Sequence, residues 1–336
     1  MIAYKPIDSL RGVFALFIVW HHLCPVLHIP YNADLGNTIV LFFFMLSGFH
    51  ISLTWKDKID TNGKEFLIKR CAKIFPIQWI TTLLFVLFGI NLVSLWAIPF
   101  HLSLLQSLNP LWQINFTLNI PSWFLSSLFI CYLFTPLLLK YFNHNKKSAS
   151  YILIGVSLCF TLFVYVLPDS IGRRWLVYIN PFSRLIDYSV GMALGLYWEP
   201  IKIFLENRLG NMKKVCTLFE ILGICSFFFF MLYEPIFILN HYNIVRYPFI
   251  LLFVMIFTFS NGYISCLLSN KWLNYLGVLS MSIYMTHGFI LHFMAQINEF
   301  PMWIKVLVSY LCILIFAYVI NLILPFISNK IYCLRR

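Results

Sequence analysis

Charge is scarce in this chain. Lys, Arg, Asp and Glu make up 11% of its 336 residues, less than half of the roughly 25% usual in soluble domains. That is too little to cover a wet surface, and it excludes an ordinary soluble globular protein. Acidic residues are the scarcest, 12 against 24 Lys and Arg. No hydrophilic stretch is long enough to fold by itself, and there is no linker and no internal repeat. Paired cysteine spacing is also missing. The nine cysteines lie mostly inside apolar runs, where Cys behaves as a small hydrophobe, so neither a disulfide framework nor a metal site is expected. The N-terminal apolar run carries Asp8 and Arg11 and ends without a small-residue cleavage site, unlike a cleaved signal peptide.

What is abundant is apolar. Hydrophobic residues reach 61%, with 35 Phe, more than a water-soluble core of this size could hide. A membrane-spanning helix needs about 20 apolar residues. Segments of that kind lie near 7–28, 37–55, 74–95, 121–140, 149–168, 177–198, 215–234, 246–268, 273–297 and 303–328. They predict an all-α, polytopic transmembrane bundle of about ten spanning helices, one domain over residues 1–336. The stretch 96–120 carries Pro99, Asn109, Pro110, Asn115 and Asn119 and reads as a loop with an interfacial or re-entrant part. With both termini placed in the cytoplasm, 18 Lys and Arg fall in inside connectors and 4 in outside ones, the bias expected of cytoplasmic loops. The net charge of +12 is then mostly a topology signal, and no nucleic-acid partner is needed to explain it.

Charge inside a membrane helix is costly and marks function by default. The first helix holds Asp8, Arg11, His21 and His22. Arg11 and His22 are eleven residues apart, which returns to within about 20° of the same face and spans roughly 16 Å along the axis. Arg11 thus sits near the cytoplasmic end, and His22 past the middle of a hydrocarbon core about 30 Å thick. His21 points about 80° away. A cation near the inner surface can hold an anionic donor, and an imidazole deeper on the same stripe can act as general base on a hydroxyl. The separation is of the order of an extended phosphopantetheine arm. The competing reading is that Arg11 snorkels to the interface and His22 makes an interhelical hydrogen bond.

Asp8-Ser9-Leu10-Arg11-Gly12 followed by His22 resembles the opening signature of acyltransferase family 3, the integral membrane acyltransferases. Further resemblances follow in the family's order. They are Phe42–Phe44 with Leu46-Ser47-Gly48-Phe49, then Phe66, Arg70, Lys73, Ile74 and Pro76, then Pro121, Trp123, Phe124, Leu125 and Tyr132. Arg184 with Gly191 and Gly195 comes next, and Gly277, Ser280, Ile283, Tyr284 and His287 close the series. Two positions depart from the family. Arg70-Cys71-Ala72-Lys73 stands where Arg-x-x-Arg is common, and Ser126-Ser127-Leu128 stands where many members carry a Glu after the Trp. The resemblance implies His22 and Arg11 as catalytic residues, and it strengthens the reading of Arg70 and Lys73, three apart on one helix face, as ligands of coenzyme A phosphates. Ordinary positive-inside charge is the alternative there.

Ser47 and Gly48 are candidates for the wall of a donor passage, since Gly permits close approach; helix packing explains them as well. Trp123, Arg184, Asp187, Tyr284 and His287 are candidates for the acceptor side. Against each stands a structural role: an interface aromatic for Trp123, an ion pair across one turn for Arg184 and Asp187, an interhelical hydrogen bond for Tyr284 and His287. The remaining histidines, His50 among them, show no ligand spacing and receive no role. The whole pattern predicts an O-acyltransferase, most simply an O-acetyltransferase. It would use acetyl-CoA or another acyl-CoA as donor substrate with no permanently bound cofactor. The resemblance implies the bacterial cytoplasmic membrane and a surface polysaccharide or lipid-linked glycan as acceptor; whether the protein forms homo-oligomers stays open. A flippase for lipid-linked glycans, or a glycan polymerase or ligase independent of coenzyme A, are the rival readings. A transporter often shows broken helices in paired halves, and no such internal symmetry is present.

Overall fold

A computed structural model describes residues 4–30, 34–168, 171–232, 243–297 and 299–333. The basic C-terminal pair Arg335 and Arg336, His241 and the end of the expected 215–234 span lie outside them. The described residues form helices and connecting turns, with no strand among them. In chain order the helices are α1 (Lys5–Val26), α2 (Asp34–Trp55), α3 (Ile59–Leu87), α4 (Ala97–Ser103), α5 (Trp112–Asn115), α6 (Ser122–His144) and α7 (Lys146–Val166). There follow α8 (Ile171–Arg174), α9 (Pro181–Leu209), α10 (Lys213–Leu232), α11 (Tyr247–Phe259), α12 (Tyr263–Leu268), α13 (Lys271–Gln296) and α14 (Met302–Cys333).

Seven helices are long and apolar enough to cross a membrane: α1, α2, α3, α6, α7, α13 and most of α14. The other three expected spans are also helical. α9 is long but carries Arg184, Asp187, Glu199 and Lys202. α10 is apolar beyond Lys213, Lys214 and Glu220 and runs to the edge of the described residues. The expected 246–268 span is broken, because Ser260 takes a left-handed conformation (φ 53°) between α11 and α12. Side chains hold that break in place. The buried Glu220 carboxylate accepts the backbone N–H groups of Gly262, Ile264 and Ser265 at 3.0–3.2 Å, and Asn261 Nδ2 donates to the carbonyls of Leu209 and Gly210. Orphan amides at a helix start need such partners inside a membrane. The third span also differs from expectation. α3 begins at Ile59, with a local kink at Asn62, so Arg70 and Lys73 stand on the helix itself rather than in a connector.

Two close helix pairs organise the bundle, α1 along α13 and α2 along α9. Glycines make both approaches feasible. A Cβ on Gly12 would lie 2.5 Å from the Leu276 carbonyl carbon, and one on Gly277 would lie 2.1 Å from the Asp8 oxygen. A Cβ on Gly48 would lie 2.0 Å from the Tyr188 oxygen, and one on Gly191 would meet the Met45 oxygen. Small residues let membrane helices touch backbone to backbone in this way. Between the pairs, phenylalanines fill the core. The Phe14 ring stacks on Phe227 at 4.9 Å and meets Phe42 edge-on at 4.8 Å, while Phe227 packs on Phe253 at 4.8 Å. The Phe227–Phe230 run is therefore split, with Phe227 in the core and Phe229 on the outer surface. α7 and α14 are peripheral, and their exposed residues, such as Leu162, Tyr165, Ile315 and Leu322, suit contact with lipid.

The stretch 96–120 is not a plain loop. α4 and α5 fold back against α3 and α6 through buried polar contacts. Gln78 Nε2 donates to the His101 carbonyl and Gln106 Nε2 to Ser122, while Ser126 Oγ donates to the Leu104 carbonyl. Asn119 Nδ2 reaches the Met285 carbonyl on α13 at 2.9 Å. His101, fully buried, bonds the Ile114 carbonyl through Nε2 and Ser122 Oγ through Nδ1. Burial pushes its imidazole down to about 4, against which the Ile114 bond works only in part. The folded chain thus holds His101 neutral, whereas the unfolded chain takes up a proton below about 6.5. Its contribution to stability is complete above that pH, falls as the pH drops, and is lost below about pH 4. About 2.5 pKa units correspond to roughly 3 kcal/mol. Thermal unfolding in detergent between pH 7.5 and 4.5 should therefore fall more steeply for the wild type than for His101→Gln. Parallel curves would contradict the assignment.

Candidate active site

α1 carries the two residues at the centre of the site, and its packing on α13 sets their directions. Arg11 Nε donates to Ser280 Oγ at 3.1 Å and Nη2 to the Gly277 carbonyl at 2.9 Å, while Nη1 lies 3.6 Å from Asp8 Oδ1. The guanidinium is thereby fixed where α1 and α13 cross, and it stays partly exposed. His22 lies eleven residues further on, at roughly 16 Å along the helix. Its ring stacks on His287 of α13, centroids 5.0 Å apart, and meets His21 edge-on at 4.9 Å. His287 is fully buried. Its nearest backbone acceptors are the carbonyls of Ile283 and Tyr284, yet neither ring nitrogen makes a well-formed hydrogen bond. His21 instead faces α2, where its ring occupies the space beside Gly36.

Around Arg11 the structure gathers the other expected cations. Lys73 feels the charges of Arg11, Arg70 and Asp8, so α1 and α3 bring three cations and one carboxylate together. Arg70 lies over the Phe66 and Tyr132 rings, at 5.4 and 5.6 Å from their centroids. Its Nε is buried and has no hydrogen-bond partner among the described residues. Glu65, one of the two acids of α3, is paired with Lys69. The cluster therefore carries excess positive charge where α1 and α3 meet, and uncompensated charge among membrane helices is expensive. Lys73 nonetheless keeps an exposed surface, so it borders space that water or a ligand can reach.

On α2, from Thr38 to Ser52, every residue is buried except Ser47 and His50. They are three apart and share a face. Ser47 thus keeps accessible surface, while its neighbour Gly48 is pressed against α9 at Tyr188 and Met192. Gly48 serves the helix crossing, which was the alternative reading for it. His50 is the residue that sequence reasoning passed over. The charges of Arg11, Lys73 and Arg70 all act on it. Its spacing from Ser47, near the C-terminal end of α2, was the available signal.

The remaining candidates form a separate, drier group. Arg184 Nη1 and Asp187 Oδ2 are 2.8 Å apart, the ion pair across one turn that their spacing allows, with side chains 2% exposed. Arg184 Nε also donates to the Tyr178 carbonyl, and Tyr247 Oη donates to Asp187 Oδ1 at 2.6 Å. The Arg184 guanidinium sits among the rings of Phe44, Trp123 and Tyr178. Trp123 is thus a buried wall of an aromatic box around Arg184, not an aromatic at the membrane interface. Tyr284 links the two groups, packing on Phe124 at 5.1 Å and on His287 at 5.8 Å. At the departure from the family pattern, Ser126 and Ser127 bond the carbonyls of Leu104 and Ile179; they fasten neighbouring segments. Among the described residues no group of three His, Cys, Asp or Glu side chains is arranged to hold a metal ion.

An all-helical bundle with several apolar helices long enough to span a bilayer defines an integral membrane protein. The family model described as an acyltransferase domain, acyltransferase family 3, matches residues 4–327. The chain belongs to that family, and it is an acyltransferase. No curated protein and no solved structure gives a significant match.

Proposed function

We propose that this acyltransferase moves an acetyl group from cytoplasmic acetyl-CoA to a hydroxyl of a surface polysaccharide or lipid-linked glycan. The observation that carries the reading is the pairing of two places on one helix. Arg11 gathers with Arg70, Lys73 and the Asp8 carboxylate, and an imidazole stands roughly 16 Å further along. The phosphates of coenzyme A would rest on Arg11, Arg70 and Lys73, and the pantetheine arm would run past Ser47 toward His22. His22 takes the proton of the acceptor hydroxyl as its oxygen attacks the thioester carbonyl. The tetrahedral intermediate then collapses, the carbon–sulfur bond breaks, and the coenzyme A thiolate leaves and recovers the proton. An ester and free coenzyme A result. His287, stacked on His22, would hold the imidazole plane, and Tyr284, Trp123 and the Arg184–Asp187 pair would shape the acceptor side.

The purified chain should release coenzyme A thiol from acetyl-CoA when a glycan acceptor is present. A protein that never consumes acetyl-CoA but moves lipid-linked glycan, or polymerises it, would overturn the reading in favour of a rival.

The reading also needs ten crossings, with both ends in the cytoplasm of a bacterial inner membrane. α9, α10 and α11–α12 would supply the three crossings beyond the seven apolar helices, their charges shielded by the bundle. In a cysteine-free background, Lys58→Cys should be labelled from the cytoplasmic side and Trp112→Cys from outside. Labelling of position 58 from outside would place the cation cluster on the wrong face for a cytoplasmic donor.

A further inference from the structure

We infer that His50 is a fourth donor-binding residue, one that gives a hydrogen bond to a phosphate of coenzyme A between the Arg11, Arg70 and Lys73 charges. The inference rests on the donor reading above and assigns a part in it to a residue of this chain.

Three observations meet at this side chain. First, His50 and Ser47 are the two positions of α2 between Thr38 and Ser52 that keep accessible surface. They share a face of a helix otherwise enclosed by protein along that stretch. Second, the charges that act on it come from two helices: Arg11 on α1, and Arg70 and Lys73 on α3. Asp8 is the carboxylate of this neighbourhood, and Arg11 and Lys73 both act on it. Third, His50 Nε2 is buried and has no hydrogen-bond partner among the described residues. Leaving a buried polar nitrogen without a partner is costly, and a phosphate oxygen that reached Nε2 would remove that cost.

The chemistry of the neighbourhood selects what arrives. An imidazole in its neutral form offers one N–H donor and one lone pair. The cations attract anions bearing several oxygens. A phosphate resting on Arg11, Arg70 and Lys73 presents more acceptor oxygens than these three saturate, and a neutral N–H can take one of them without adding to the mutual repulsion. His50 stands near the cytoplasmic end of α2, five residues before Trp55, or about 8 Å of helix rise. Arg11 stands at a similar depth on α1. His50 therefore belongs with the phosphate end of the donor and not with the thioester end at His22.

The test is a titration of coenzyme A and acetyl-CoA against the full chain in detergent, alongside steady-state kinetics. His50→Phe keeps a flat ring and removes the N–H. It should weaken coenzyme A binding and raise the acetyl-CoA KM about tenfold, the scale of one hydrogen bond to a charged group, with kcat within about twofold. His50→Gln restores an N–H donor at a similar reach and should return the KM to within about threefold of the wild type. A residue that merely packs would show no such rescue and no split between KM and kcat. Wild-type affinity in His50→Phe, while the wild type itself binds coenzyme A, removes His50 from the donor site and leaves the donor reading standing. A wild-type protein that binds no coenzyme A sinks the donor reading, and this inference with it. Should His50→Phe not fold, His50→Gln and His50→Leu decide the matter: equal KM values in the two would overturn the inference.

Discussion

Replacing His22 with alanine should lower acyl transfer by about 10²–10⁴-fold, the usual contribution of a general base, while the folded protein stays in the membrane. The structure makes this forecast sharper than the sequence did. His22 and His21 are neighbours, and a lost imidazole at either place removes a similar volume. Their surroundings differ. His22 stacks on His287 of α13, on the helix pair that also fixes Arg11, whereas His21 sits against Gly36 of α2. His21→Ala should therefore loosen the contact between α1 and α2 and lower the thermal midpoint, with much less effect on turnover. His22→Gln keeps a hydrogen-bonding group but cannot accept a proton at working pH, so it should stay near the alanine level. Glycan acetylation in a null strain complemented with each variant reads the rate, and the amount of membrane-inserted protein controls for folding. Full activity in His22→Ala would sink the mechanism, because no other imidazole shares the stripe of Arg11. His287 could not simply replace it, since that ring is fully buried behind His22.

Much of this was legible in the chain because membranes impose simple rules. Lipid forces backbone groups into helices, so composition and segment length predict the class, and the Arg11-to-His22 spacing follows from helix geometry alone. The parts that were not legible depend on contacts between distant segments. Ser260-Asn261-Gly262 is a local turn signal within the 246–268 stretch, but nothing local shows what holds the break. The break depends on a carboxylate from Glu220, more than forty residues earlier, that caps the amides after Gly262. The stretch 96–120 could be read as re-entrant from its prolines and asparagines, but its anchoring through Gln78, Ser122 and Asn119 could not. The same holds for His50. Its sequence neighbours are apolar or small, and it gains meaning only when α3 brings Arg70 and Lys73 beside it. Trp123 shows the converse: an aromatic at a helix start suggests the membrane interface, yet this one packs inward on Arg184 and Tyr178.

Removing the Arg70 charge should raise the donor KM by about 10- to 100-fold, the range expected when a hydrogen bond to a charged group is lost. The effect on kcat should be small, because contacts to the phosphates exist in both ground and transition states. The surroundings of Arg70 suit such a contact. The faces of Phe66 and Tyr132 support its guanidinium, its Nε has no protein partner among the described residues, and a planar fork can grip two phosphate oxygens at once. Lys73 is a point charge on a flexible stem with an exposed surface, so Lys73→Ala should cost less than Arg70→Ala. Lys73→Arg restores the family's usual pair and should keep activity or tighten donor binding. Arg70→Lys should fall between wild type and Arg70→Ala, since it keeps the charge over the rings but loses the fork. If these residues only mark the cytoplasmic side, the forecast is different: single losses would be nearly silent while the remaining basic residues still define the inside. Acetyl-CoA titrations on the purified variants decide between the two. An unchanged KM in both alanine variants would take Arg70 and Lys73 out of the donor site, and the excess charge around Arg11 would then need another anion to explain it.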